Sequence, residues 1–325
     1  MEYNTEPFLG RNPESVSITN SEIQTFKDCR RKWWLGNYRA LKPKKKTVMG
    51  PLSLGNRVHN SLELYYTTGE NPVDAYERFN RADNQLFLAS PDASFPENVK
   101  KYNSEAELGR IMLEGYMDWM RDENPDADIE VIGAEQKLSY RLTDFDPRVE
   151  IMGKTDLKVK RRSNGKHALL DHKTAQSFSM YYETSHMSEQ LMLYVMLEKL
   201  DTVNGDPKVD GGIYSLIKKV KRSGTAKPPF YERLDVRFND KQLQSFWIRT
   251  LGTVRDIMEV RDQLDAGGDH RFIAYPSPTR DCTWKCDFFK VCTMFDDGSS
   301  AEAMLEDFYE PVDPNARYED TNDTP

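Results

Sequence analysis

The sequence predicts an α/β fold in which a central mixed sheet is flanked by helices, with a helical insertion placed ahead of the sheet. Three observations carry this. Residues 129–175 break into three short runs, IEVIGAEQKLSYRL, RVEIMGKTDLKVKRR and HALLDHKTA, with the alternation of half-buried strands. Stretches with apolar residues at helical intervals stand before and after them. Between the second and third runs, Ser163-Asn164-Gly165-Lys166 contains Asn-Gly, a strong hairpin signal, which makes these two strands antiparallel neighbours.

In chain order, residues 1–15 read as a loose arm. Thr19-Asn20-Ser21-Glu22 has the form of a capping box, and Ile23, Phe26 and Trp33 follow on one side, which predicts a helix over 21–35 with Cys29 inside it. Val58, Leu62 and Tyr65 or Tyr66 predict a second helix over 53–67, on which His59 and Glu63 are one turn apart. Residues 72–122 read as further helix broken near Ser90-Pro91 and Phe95-Pro96, so that a helical insertion spans about 68–128. After the three strands come a helix at 186–200, strands at 211–218 and 231–237, a helix near 240–265, and a segment with three cysteines. Residues 16–295 then form one domain. Residues 296–325, rich in Asp, Glu, Pro and Asn, are expected to be a largely disordered acidic tail with one short helix around Met304 to Phe308.

Composition narrows the function. The 325 residues, 38% hydrophobic and 30% charged, suffice for a substantial core. No run approaches the roughly 18 apolar residues of a membrane span, and Met1–Pro13 has no secretory pattern, so a cytoplasmic protein is expected. Four cysteines are too few for a disulfide scaffold, which leaves metal or redox chemistry. The net charge of −8 is uneven: residues 296–325 carry ten Asp or Glu against Arg317 alone, so the rest of the chain is close to neutral. Basic clusters at 27–46, 158–162 and 218–222 suit phosphate, although runs of this kind are often merely solvated faces. Gly153-Lys154-Thr155 imitates the end of a phosphate-binding loop, but Arg148 stands where the loop needs glycine, so no ATPase is expected.

If Asn164 and Gly165 form a two-residue turn, opposed positions sum to 329, placing Asp156 across from Lys173 and Lys158 across from Asp171. Asp156, Asp171 and Lys173 then share one face. Two carboxylates and an ammonium in one place suit Mg²⁺ or Mn²⁺; the alternative is a cross-strand salt bridge on a solvated face.

Gly153-Lys-Thr-Asp156 followed by Leu169-Leu-Asp171-His-Lys173-Thr resembles the core of the PD-(D/E)XK nucleases, in the RecB-like form. Gly55-Asn-Arg-Val-His59 resembles that family's G-x-x-x-H motif, Glu135 falls where an acidic residue precedes the core strands, and Gln190-Leu-Met-Leu-Tyr194 resembles its Q-x-x-x-Y motif. Cys29 with Cys282-x₃-Cys286-x₅-Cys292 resembles the iron-sulfur subgroup, which includes the CRISPR-associated single-strand exonucleases and phage relatives, although the family spacing is C-x₂-C.

The resemblance, covering roughly residues 17–295, implies a restriction-endonuclease-like core stapled by a [4Fe-4S] cluster on the four cysteines. Structural Zn²⁺, or four unrelated cysteines, are the alternatives. It implies a divalent ion held by His59, Asp156, Asp171 and the backbone carbonyl of His172. Lys173 would position or help deprotonate the attacking water and offset charge in the transition state, with Gln190 and Tyr194 lining the site or holding the strand and the clusters at 27–46 and 218–222 forming a basic rim. The implied activity is exonucleolytic hydrolysis of DNA from single-stranded ends in recombination, repair or processing. A helicase or recombination protein is the implied partner, and the host cytoplasm the compartment if the chain is phage-encoded. A non-catalytic iron-sulfur protein that binds DNA ends is the alternative. An iron-sulfur redox protein is a weaker one, since no flavin or nicotinamide motif accompanies the cysteines.

Overall fold

The computed structural model describes residues 15–45 and 48–318, so the expected N-terminal arm lies almost wholly outside the described residues. The principal elements, in order, are β1 (Val16–Thr19), α1 (Asn20–Asp28), β2 (Leu41–Pro43), α2 (Pro51–Thr68), α3 (Pro72–Leu88), α4 (Pro96–Glu123), β3 (Ile129–Arg141), β4 (Val149–Arg161) and β5 (His167–Ala175). They continue with α5 (Ser179–Thr184), α6 (Glu189–Leu200), β6 (Val209–Lys218), β7 (Tyr231–Arg237), α7 (Asp240–Asp265), α8 (Ala301–Phe308) and β8 (Tyr309–Pro311). Where the sequence reading took 16–295 as one domain, the chain divides into two compact units. One comprises Met1–Lys46, Ser139–Gly153 and Lys241–Pro325; the other comprises Thr47–Leu138 and Lys154–Asp240.

The second unit holds a mixed sheet. β5 pairs antiparallel with β4 on one side and parallel with β6 on the other, β6 pairs antiparallel with β7, and β3 pairs with β4. β6 is buried almost throughout and β5 over Ala168–His172, as strands covered on both faces must be. On α2, Leu54, Val58 and Leu62 recur every four residues and pack with Tyr76, Met112, Leu113, Tyr116 and Ile217. Each such side chain contributes about 1.5–3 kcal/mol on burial. This stripe fixes the rotation of α2, and so the direction of its next face, Gly55, His59 and Glu63. α6 joins the sheet through Lys158–Glu198, a buried ion pair at 2.8 Å, and through Ser188, whose hydroxyl meets that of Tyr214 at 2.5 Å.

The β4–β5 register differs from the expected one. Leu157 faces Leu170 and Lys160 faces His167, so opposed positions sum to 327. The turn is longer than two residues: Arg161 N–H donates to Lys166 O and Gly165 N–H to Arg161 O, both at 2.8 Å, with Gly165 in the left-handed region at φ 68°. Asp128 holds this loop, its carboxylate accepting from Ser163 N–H at 2.7 Å and from the Ser163 hydroxyl at 2.8 Å. Because the shift is by two positions, every side chain keeps its face.

In the first unit, β1 runs parallel to the start of β4, pairing Val16 with Val149 through Thr19 with Met152. Thr19 caps α1 as the capping box predicts, accepting from Glu22 N–H. The helix expected over 21–35 is broken at Cys29, and the chain is helical again from Arg30 on, running through a π-helix over Trp34–Tyr38. Cys29 is extended, with φ −162° and ψ 116°, and its sulfur accepts from Lys32 N–H at 3.5 Å, capping a separate turn over Arg30–Trp33.

The acidic C-terminal segment, expected to be largely disordered, forms α8 and β8 within the described residues, and β8 pairs with β2. Charge explains the difference. Asp296 pairs with the buried Arg31 at 2.6 Å, Glu302 takes Arg39 through two hydrogen bonds, and Lys44 donates to the Glu306 carbonyl. Three cations of the 27–46 cluster therefore hold the C-terminal segment.

Candidate active site

The predicted site residues His59, Asp156, Asp171, Lys173, Gln190 and Tyr194 all belong to the second unit, together with Glu135 and His172. Asp171 and Lys173 reach α6 through Gln190, and Lys158 reaches it through Glu198, so the odd residues of β5 and the even residues of β4 share the face that α6 covers. Asp156 has the parity of Lys158 and joins that face. The ladder between β4 and β5 ends at Leu157 and Leu170. Just beyond, His172 N–H donates to Asp156 Oδ2 at 3.0 Å, so the strands part where the acidic side chain enters.

His59 Nε2 stands 2.7 Å from the same Asp156 oxygen. It can do so because α2 passes close to β5 at Gly55, where a Cβ would lie only 3.3 Å from the Thr174 hydroxyl. Burial alone would raise the Asp156 carboxyl, but the hydrogen bond and charge of His59, helped by His172 and Lys173, leave it below the usual range. His59 is raised: burial opposes its charged form, and the Asp156 contact outweighs burial.

Glu135 completes a cluster that sequence reasoning located but gave no role. One ligand atom each from His59, Glu135 and Asp156 lie within 4.8 Å of one another. Glu135 has a left-handed backbone, φ 51°, inside β3, a conformation that costs a non-glycine residue about 1–2 kcal/mol and interrupts the strand's regular alternation. Its carboxylate pairs with Lys154 at 2.6 Å. Burial raises its pKa, against the pull of Lys154 and with the charge of Glu63.

Beside this cluster lies the Asp171–Lys173 pair. Lys173 Nζ forms an ion pair with the buried Asp171 Oδ2 at 2.7 Å, and among the described residues no other donor reaches that oxygen. Burial, with the Asp156 charge, pushes the Asp171 carboxyl up to about 6 against the pull of Lys173. Burial disfavours the Lys173 ammonium, but the charge and contact of Asp171 outweigh it and raise its pKa. Lys173 donates to Gln190 Oε1 at 3.0 Å, and Gln190 Nε2 donates to Asp171 Oδ1 at 3.4 Å and to the Tyr194 hydroxyl at 3.3 Å. Gln190 thus braces the pair. Tyr194, expected to line the site, is buried and supports Gln190.

The backbone N–H of His172 reaches the site, whereas its imidazole packs against the rings of Tyr66, Tyr116 and His59. Burial and the nearby Arg233 charge keep that imidazole neutral.

The donor set fits a divalent cation. Metal-ligand bonds of about 2.0–2.2 Å place donor atoms up to roughly 4.4 Å apart, close to the observed spread. The buried Asp171 oxygen has no donor besides Lys173 among the described residues. A cation at the cluster would replace the proton that His59 and Asp156 now share.

The four cysteines lie in the first unit and line one cavity of about 390 Å³. Backbone amides point at two sulfurs: Lys32 and Ser277 donate to Cys29 at 3.5 and 3.4 Å, and Thr279 to Cys282 at 3.3 Å. Burial raises the thiols of Cys286 and Cys292, against Phe288 N–H and Lys32 for the first and Arg31 for the second.

The basic clusters are largely engaged. In 158–162, Lys158 pairs with Glu198 and Arg161 with Asp235. In 218–222, Lys218 donates to the Lys227 carbonyl, Lys221 pairs with Glu107, and Arg222 donates to the Tyr231 hydroxyl and lies 3.8 Å over the Phe230 ring. Lys219 is the exception in that cluster. Its ammonium is half-buried with no partner among the described residues, burial lowers its pKa, and its N–H donates to Ala175 O at the end of β5.

A family model described as the PD-(D/E)XK nuclease superfamily matches residues 17–293, and the chain belongs to that superfamily. Among solved structures, the chain is similar to a protein of Eubacterium rectale provisionally named an exonuclease, at 14% identity over 77% of this chain and 82% of that one, with a TM-score of 0.45. No curated protein matches the sequence. Among the described residues no helix is long and apolar enough to cross a membrane.

Proposed function

We propose that this nuclease-superfamily protein is a divalent-metal-dependent exonuclease that hydrolyses phosphodiester bonds from single-stranded DNA ends. The observation that carries the reading is the convergence of His59, Glu135 and Asp156 within 4.8 Å, beside a buried carboxylate paired with a lysine. His59, Glu135, Asp156 and Asp171 would hold Mg²⁺ or Mn²⁺. When bound, the ion supplies charge neutralisation at the scissile phosphate and a more acidic water.

The chain's own groups do the rest. Lys173, whose ammonium form Asp171 favours, suits donation to a phosphate oxygen as negative charge develops there, the charge-offsetting role that the resemblance implied. Gln190 holds the ammonium and Asp171 in one orientation, and Tyr194 holds Gln190. His172 N–H keeps one Asp156 oxygen in place. Lys219, at the end of the strand beside β5, suits a neighbouring phosphate of the bound strand.

The four cysteines would carry a [4Fe-4S] cluster joining the N-terminal segment at Cys29 to the segment at 282–292. Their shared cavity and the amide donors at Cys29 and Cys282 support it. Closing so long a loop makes its main effect one of stability.

Digestion of end-labelled single-stranded, duplex and circular DNA with Mg²⁺ or Mn²⁺ tests the reading. Release of short products from single-stranded ends, with circles intact, is expected. Cleavage of circles would make it an endonuclease, and no cleavage by protein with iron and sulfide in place would refute a nuclease role.

A further inference from the structure

The segment joining β5 to α6 carries side chains that the mechanism leaves unused. It follows directly on the strand bearing Asp171 and Lys173, and it leaves Met180, Tyr182 and Met187 exposed at 70%, 47% and 57%. Tyr182 is committed elsewhere, its hydroxyl donating to Glu232 and its ring edge-on to Phe178. Tyr181 differs. Its ring is half-exposed and stands 5.3 Å from that of Tyr214 at 71°, and its hydroxyl has no hydrogen-bond partner among the described residues.

Tyr214 lies beside Asp171 in the β5–β6 register and is fixed by Ser188 at the start of α6. Tyr181 therefore rests on a ring that flanks the catalytic pair. Burial raises its phenol, and the charges of Lys173 and Asp171 act on it in opposite directions.

We infer that Tyr181 is the platform on which the unpaired base next to the scissile phosphate stacks, so that the protein selects strand ends whose bases lack a complement. This rests on the nuclease reading. A phosphate facing Lys173 carries its nucleoside with it, and the Tyr181 ring, packed on Tyr214 beside Asp171, offers that base an aromatic face. Every base offers a π-face, so such a platform is tolerant of sequence, whereas a paired base must first be unstacked.

The test uses the full chain with EDTA and single-stranded oligonucleotides carrying 2-aminopurine or an abasic residue at the terminal position. Wild-type protein should quench the 2-aminopurine and bind the base-bearing strand about tenfold more tightly than the abasic one. Tyr181→Ala should abolish both differences without weakening abasic binding, and Tyr181→Phe and Tyr181→Trp should restore them. Equal loss on both strands, or no loss on either, would overturn the inference. Hydrolysis is measured in parallel with Mg²⁺. Tyr181-dependent quenching without hydrolysis would uphold the platform and refute the nuclease reading, and hydrolysis without such quenching would do the reverse.

Discussion

Glu135→Gly should make the protein more stable and less active at once. The backbone of Glu135 lies at φ 51°, where a side chain costs about 1–2 kcal/mol and glycine costs nothing sterically. Glycine returns roughly 0.5–1 kcal/mol through the greater freedom of the unfolded chain. Removing the side chain also removes a carboxylate that burial disfavours and Glu63 repels, and it loses the partly exposed Lys154 pair, worth under about 1 kcal/mol.

The sum is a gain of about 0.5–1 kcal/mol, or roughly 1 °C in Tm for a chain of this size. Against that stands the loss of one of the four proposed donors. Changes one layer further out typically cost about 10–100-fold in metal affinity, so losing a donor should cost at least that. Urea denaturation and Mg²⁺ titration of hydrolysis measure the two effects on one preparation. Glu135→Asn, which also tolerates a left-handed backbone, should keep the stability and lose most of the activity. A Glu135→Gly protein that is destabilised by more than about 1 kcal/mol, or that hydrolyses DNA at the wild-type Mg²⁺ requirement, would refute the reasoning.

Lys173→Ala should lower the hydrolysis rate by about 10²–10³-fold with the metal requirement nearly unchanged, because the ammonium is placed to meet developing charge; a raised metal requirement instead would make it a ligand-positioning group. Glu198→Ala strands the buried Lys158 and should cost about 3–5 kcal/mol in urea unfolding, whereas Lys158→Met with Glu198→Leu should cost far less. His270, stacked on Trp34 at 4.4 Å, is lowered to about 4 by burial and then by Arg31. Its folded pKa lies below the unfolded value near 6.5, so the unfolded chain takes the proton first as pH falls. The contribution is whole above about pH 6.5 and is lost toward pH 4, by roughly 2–3 kcal/mol in all. His270→Phe should flatten the stability profile across that window, and an unchanged slope would assign it to other groups.

The strand that bears Asp171 and Lys173 was legible because its chemistry coincides with a strong local pattern: alternating runs on either side of Asn-Gly, and a pair two residues apart that must share a face. The register was not. Asn-Gly signals a tight turn, but Asp128, far back in the sequence, captures Ser163 and makes a longer loop, and only the even size of the shift preserved the site.

Glu135 sits where the resemblance to related nucleases placed an acid, yet its role depends on a left-handed residue within a strand, which no propensity predicts for glutamate. In the C-terminal segment the short helix was legible and its pairing was not. The segment's composition resembles a disordered tail, but the carboxylates have partners in Arg31 and Arg39 more than 250 residues earlier, and pairing at that separation leaves no local trace. The same pairs explain why the 27–46 cluster is less of a basic rim than its count of lysines and arginines implied.

The most direct test compares wild-type protein and Asp156→Asn on one 5′-labelled single strand, following both binding and hydrolysis with Mg²⁺ and with EDTA. The carboxylate of Asp156 accepts from both His59 and His172, so the amide should remove metal-dependent hydrolysis by at least about 10³-fold while strand binding, which rests on phosphate contacts, stays within a few-fold. Hydrolysis that persists in EDTA, or that Asp156→Asn leaves intact, would place the chemistry elsewhere and contradict the account.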